Sequence, residues 1–299
     1  MFPLLFGVIP MYNAVNMFGI FLSVLCAIVM ILAEWRRRRK AEPPRTSYLR
    51  NYNPFRYLKK DMRRKFNPVF YILTYGIAYG SLAMGTSIAA QVTNITLVAG
   101  QLTDFGGSVA FASGVLLFIP AFLLISKLFP GNGKPTEQLE FVMPSLALNH
   151  VFNRLGCLLG GCCFGMPCHF GLVYPESALA NNYYDKGTRL FPNLPLESLS
   201  MLILFIVLLV LHRKGKRTLP IFPLVFGAVG FLLGFVTSHV YEPLKPFFGF
   251  LYPTALLHLL VFFIGVVFLL MIIRENKRNR RKAQEGPAED VLEIQETSE

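Results

Sequence analysis

One stretch of this 299-residue chain gathers side chains that do chemistry: Asn149-His150-Val151-Phe152-Asn153-Arg154-Leu155-Gly156-Cys157. At about 3.6 residues per turn, His150, Arg154, Cys157 and Gly161 fall on one helix face. That face carries a fixed positive charge, an imidazole and a thiol. A guanidinium suits a phosphate because its planar fork donates two parallel hydrogen bonds. An arginine here can equally pair with a carboxylate and lock two helices together, and the residues fit both readings. Glu197, in Phe191-Pro192-Asn193-Leu194-Pro195-Leu196-Glu197, is the carboxylate expected to meet it. Glu197 can serve as counter-charge to Arg154 or as a general base for a nucleophile. An ordinary interfacial carboxylate fits the same position.

Cysteines and glycines crowd the residues that follow. Cys157, Cys162, Cys163, Cys168 and His169 fall within 13 residues. Such a cluster can hold a metal or form a disulfide, but it has no CxxC pair, and small buried cysteines are common packing residues. No metal is expected. Gly156, Gly160, Gly161 and Gly165 repeat at short spacings that suit close helix packing. His212, His239 and His258 stand apart from other candidate ligands and read as structural. Nothing matches a Walker loop or a dinucleotide-binding glycine pattern, so no cofactor is expected.

The elements that must position these groups are membrane helices. The chain is 54% hydrophobic and only 15% charged, with a mean hydropathy of +0.49. A soluble domain usually carries about 25% charged residues. Apolar runs near 14–33, 67–93, 105–126, 138–163, 196–211, 219–240 and 248–273 predict about seven transmembrane helices in an all-α integral membrane protein. The 138–163 run is the least apolar, because it holds Gln138, Glu140, His150, Asn153 and Arg154. An ionisable residue inside a span is costly, which points to function at Arg154.

Orientation follows from lysine and arginine. With the N-terminus outside, segments 35–66, 127–136, 212–218 and 274–299 lie inside and hold 25 of the 29 basic residues. The outside segments hold three, Lys186, Arg189 and Lys245, and Arg154 lies within a span. This strong positive-inside bias puts the C-terminus in the cytoplasm. Arg36 to Lys40 follow the first apolar run, so it reads as a retained anchor and not as a signal peptide. The basic, tyrosine-bearing segment 35–66 suits anionic lipid better than nucleic acid, and no nucleic-acid partner is expected. Residues 1–273 are read as the membrane domain, and 274–299 as a cytoplasmic tail expected to be disordered.

The stretch from His150 to Gly165, with Arg154, Gly156, Cys157, Cys162 and Cys163, resembles the prolipoprotein diacylglyceryl transferases of bacteria, in a cysteine-rich version of their Gly-Arg-x-Gly-Asn-Phe signature. Phe170-Gly171-Leu172-Val173-Tyr174-Pro175 is similar to the family's aromatic-Gly-Val-Val-Phe-Pro stretch. Pro192 to Glu197 stands where the family has Pro-x-Gln-Leu-Tyr-Glu, and Gly106-Gly107 resembles its Gly-Gly motif. The resemblance covers roughly residues 70–273 and is most specific over 150–197. It implies a multi-pass protein of the bacterial plasma membrane that moves a diacylglyceryl group from phosphatidylglycerol, or a related anionic phospholipid, to the lipobox cysteine thiol of secreted lipoprotein precursors.

Residue by residue, the resemblance implies that Arg154 binds the lipid phosphate, that Asn153, Gly156 and Cys157 share in binding the substrate, and that His150 and Glu197 are catalytic. The chain also departs from the pattern. Cys157 replaces an asparagine, and Leu194 and Leu196 replace a glutamine and a tyrosine. Phe111 lies near a common histidine or tyrosine. Gly230 and Gly234 stand where the family's sixth span carries an arginine and a glutamate. Two other functions fit the residues: a non-catalytic lipid- or lipoprotein-binding protein of the same fold, and a membrane thiol or metal protein using the cysteine cluster.

Overall fold

A segment that leaves water must satisfy its own backbone, and a helix does so within one stretch of chain. The computed structural model describes residues 4–5, 9–41, 68–97, 106–128, 134–161, 163–174, 184–238 and 253–296. Seven helices follow one another among these: α1 (Met11–Ala41), α2 (Pro68–Leu97), α3 (Gly106–Leu128), α4 (Pro135–Gly160), α5 (Asn193–Arg213), α6 (Ile221–Ser238) and α7 (Pro253–Glu296). Each overlaps one of the apolar runs. Ala14–Arg37, Asn193–Arg213 and Ala255–Arg281 are long and apolar enough to cross a membrane, and shorter apolar helices cover Phe111–Lys127 and Ile221–Gly234. The chain is an all-α, multi-pass membrane protein. Two small antiparallel pairs join the helices, β1 (Leu4–Leu5) with β2 (Ile9–Pro10), and β3 (Pro167–Val173) with β4 (Arg189–Leu190). Most of the basic segment 35–66, from residue 42 on, lies outside the described residues, as do Cys162 and His239.

Helix α4 sits in the middle, packed against α1, α3, α5 and α6. That placement answers its composition. Gln138, Glu140, Ser145, Asn149, His150 and Arg154 are all buried, and hydrocarbon would solvate none of them. The surrounding helices turn apolar side chains outward instead: Phe18 and Phe21 on α1, Ile203 and Ile206 on α5, Phe263 and Val267 on α7. Gly19 lets α1 approach α4 closely, because a Cβ there would overlap Phe152.

Helix α2 supplies polar partners for α4. Tyr71, Tyr75 and Tyr79 follow a four-residue spacing and line one face. The Tyr71 hydroxyl donates to the Gln138 carbonyl. Tyr75 shares a 3.1 Å hydrogen bond with Ser145, and Asn149 Nδ2 donates to the Tyr79 hydroxyl at 2.9 Å. The start of α4 is held by charge. Arg217, in the α5–α6 connection, pairs with Glu140 at 2.6 Å and with Glu275 at 3.3 Å, while Lys134 also pairs with Glu275. Helix α7 does not stop where its apolar run ends. It continues through the basic residues to Glu296, across the stretch read from the sequence as a tail.

Candidate active site between α4 and α5

The end of α4 is built to turn the chain back toward it. Gly161 caps the helix in the left-handed region, at φ 67°, a conformation that glycine adopts without strain. Two residues on, Cys163 also has positive φ, at 56°, and its carbonyl accepts a 2.7 Å hydrogen bond from Asn193 Nδ2. That bond ties the turn to the first residue of α5. The β3–β4 pair closes the excursion, and Gly171 is pressed so closely against the Leu190 backbone that no larger residue fits. Helix α5 then returns alongside α4, and Ser198 Oγ donates to the Val151 carbonyl at 2.9 Å.

This return brings Glu197 to His150 and Arg154. Glu197 Oε1 lies 2.7 Å from His150 Nε2, and Oε2 lies 2.9 Å from Arg154 Nε. All three residues are buried, at 5%, 0% and 1% exposure in that order. Arg154 Nε also lies 3.2 Å from His150 Nε2. A His150 Nε2 that donates to Glu197 cannot accept from Arg154, so the carboxylate takes both protons. Two atoms are then left over. Arg154 Nη1 and His150 Nδ1 are buried with no hydrogen-bond partner among the described residues. The first is a donor at the tip of the fork, and the second is the ring nitrogen that Glu197 does not engage. Phe111 at 4.5 Å and Phe226 at 5.0 Å pack on the His150 ring and hold it in an apolar setting.

The other residues singled out in the sequence divide. Cys157 is buried with Cys163 and Leu194 in a small cluster beside Arg154. Asn153 is half-buried, and its Oδ1 has no partner among the described residues. Gly156 is buried one turn from Phe152, on the way to the cap. Among the described residues, Cys26, Cys157, Cys163 and Cys168 take part in no disulfide, and no three His, Cys, Asp or Glu side chains converge as metal ligands. Three features escaped the sequence reading. The α2 tyrosines were readable as a four-residue spacing of polar tips in an apolar run. Phe226 and His258 were not, because their approach to the site depends on how α6 and α7 pack.

Comparison with known proteins points the same way. A protein-family model described as Prolipoprotein diacylglyceryl transferase matches residues 14–271. Phosphatidylglycerol–prolipoprotein diacylglyceryl transferase 2 of Clostridium perfringens (strain 13 / Type A) is 30% identical over 107 residues, which is 34% of this chain and 40% of that protein. Phosphatidylglycerol–prolipoprotein diacylglyceryl transferase of Clostridium tetani (strain Massachusetts / E88) is 28% identical over 172 residues, covering 56% of this chain and 66% of that protein. The protein of the same name from Rhodopirellula baltica (strain DSM 10527 / NCIMB 13988 / SH1) is 27% identical over 163 residues, or 54% and 30%. The matches thus span between 30% and 66% of the lengths of these curated relatives. With the family match running over most of its length and through both helices of the buried cluster, the chain belongs to the prolipoprotein diacylglyceryl transferase family.

Proposed function

We propose that this chain transfers a diacylglyceryl group from phosphatidylglycerol, or a related anionic phospholipid, to the lipobox cysteine thiol of secreted lipoprotein precursors. The observation that carries the reading is the His150–Glu197–Arg154 cluster, with its two unused atoms, Arg154 Nη1 and His150 Nδ1. Glu197 holds the imidazole by Nε2 and so leaves Nδ1 unprotonated, poised to take the thiol proton. The thiolate sulfur then forms a bond to the terminal glyceryl carbon. The bond between that carbon and the phosphate oxygen breaks, and its electron pair leaves with glycerol phosphate. Arg154 stabilises the charge that develops on that oxygen, and the proton held on His150 passes to the departing phosphate. Asn153, Gly156 and Cys157, on the same stretch of α4 as Arg154, are the other residues proposed to bind this substrate.

The rest of the reading concerns placement. Residues 1–273 form the membrane domain, crossing seven times with the N-terminus outside, and 274–299 lie in the cytoplasm. The test is transfer of labelled diacylglyceryl from phosphatidylglycerol to a lipobox peptide in proteoliposomes, together with rescue of a strain depleted of its own transferase. Transfer and rescue are expected. Intact protein that gives neither, yet retains phosphatidylglycerol, would replace this reading with the non-catalytic lipid-binding one.

A further inference from the structure

Helices α6 and α7 meet along glycines. A Cβ at Gly227 would stand 2.5 Å from the Phe262 backbone nitrogen, and a Cβ at Gly230 would overlap the His258 imidazole. The place that any side chain at 230 would take is therefore filled from α7 by a histidine. His258 is 2% exposed, and its ring packs on Phe226 at 5.0 Å. The same Phe226 stands 5.0 Å from His150. One aromatic ring thus separates the two imidazoles, and His258 lies within electrostatic reach of both His150 and Glu197.

Charge balance gives this placement a consequence. Among the described residues, the buried ionisable side chains of the site are His150, Arg154, Glu197 and His258, together with the thiols Cys157 and Cys163 beside Arg154, which can supply no positive charge. Arg154 and Glu197 neutralise one another. A phosphodiester that settles beside Arg154 adds a negative charge in a dry setting, where an uncompensated charge is strongly disfavoured. His150 holds Glu197 with Nε2, and the proposed transfer reserves its Nδ1 for the thiol proton. Helix α6 carries no titratable side chain, and α3, which also packs on α7, carries only Lys127 in its last turn.

We infer that His258 is a second binding residue for the anionic headgroup, an imidazole that takes a proton from water as the phosphate settles beside Arg154, and that residue 230 is glycine to make room for it. The inference uses the proposed function only for the class of ligand, an anionic phospholipid.

The test is binding, so it stands apart from transfer. Purified protein in detergent is titrated with phosphatidylglycerol and, separately, with diacylglycerol, which has the same tails and no phosphate. Wild type is expected to prefer phosphatidylglycerol. His258→Gln keeps the volume and hydrogen bonding but cannot carry the charge, and it should weaken phosphatidylglycerol binding about tenfold while diacylglycerol binding stays constant. Gly230→Ala, which displaces the ring and leaves its chemistry alone, should do the same. Equal loss of both lipids would mark His258 as merely structural, and unchanged phosphatidylglycerol binding by His258→Gln would overturn the inference outright. A wild type that binds phosphatidylglycerol no better than diacylglycerol would overturn it too. One that prefers phosphatidylglycerol but transfers nothing overturns the transfer reading alone, and the two variants still decide the role of His258.

Discussion

Glu197 Oε2 lies 2.9 Å from Arg154 Nε, so the carboxylate engages the side of the guanidinium and leaves Nη1 at its tip unclaimed by any described residue. A simple structural lock would use the fork fully, with two parallel bonds from arginine to carboxylate. The contact seen here fixes the guanidinium plane and keeps a donor in reserve. The second oxygen of Glu197 is spent on His150 at 2.7 Å, so one carboxylate orients both partners.

Arg154→Lys keeps the charge and loses the planar fork. We predict that it loses most diacylglyceryl transfer while still inserting in the membrane. Arg154→Ala should lower transfer by about 100- to 1,000-fold, the usual cost of removing a donor aimed at developing charge. It should also lower the melting point in detergent, because an unpaired buried carboxylate costs about 3–5 kcal/mol. Transfer by Arg154→Ala equal to wild type at matched protein level would end the phosphate-binding role.

Glu197→Gln tests the orienting role. The amide keeps the shape, yet it can present its nitrogen to His150 and so favour the wrong tautomer. Loss of an orienting carboxylate of this kind costs roughly 100-fold or more in rate. The predicted effect falls on kcat and leaves KM for phosphatidylglycerol nearly constant. A variant with wild-type kcat and a raised KM would place Glu197 in lipid binding instead.

The sequence made the helices legible because each is a long apolar run bounded by charge or proline. It also made the meeting of Arg154 and Glu197 legible, because a buried arginine needs an acid and Glu197 opens the next long apolar run. The pairing of His150 with the same carboxylate was less visible, since a lone histidine carries no sign of its partner. His258 was read as isolated because it is distant in sequence from the cluster. Only the close approach of α6 and α7 at Gly227 and Gly230 puts its ring beside Phe226. The short β3–β4 pair went unread because its strand residues, such as Phe170 and Val173, show no alternation of burial.

At the other end of α4, Arg217 is the clamp. Arg217→Ala should lower the melting point in detergent by the equivalent of about 1–2 kcal/mol, since Glu140 is buried while Arg217 is a third exposed and its charge is partly screened. Adding Glu140→Gln should restore much of the loss, because the unpaired charge is then gone. Transfer per folded molecule should not change in either variant. A double variant no more stable than Arg217→Ala would show that the guanidinium acts by packing and not by pairing.

That clamp also bears on which side of the membrane the chemistry occupies. Lys134, Arg217 and Glu275 meet near the start of α4, so three of the segments counted as basic converge at one end of the bundle. Arg154 lies 14 residues beyond Glu140 on the same helix, about 21 Å along its axis at 1.5 Å per residue. A hydrocarbon core is about 30 Å thick, so the cluster falls in the half opposite the basic end. In the proposed orientation, which rests on the positive-inside bias, the basic end is cytoplasmic and the cluster lies toward the outer leaflet, the side on which the proposed secreted acceptor would present its thiol. The prediction is made on single cysteine reporters in a variant whose five native cysteines are replaced. In intact cells a membrane-impermeant maleimide should label reporters in 94–104 and 176–190. Reporters in 41–60 and 283–299 should stay protected until the membrane is opened. Labelling of the 41–60 segment in intact cells would reverse the orientation and put the Arg154 site on the cytoplasmic side, away from any secreted acceptor.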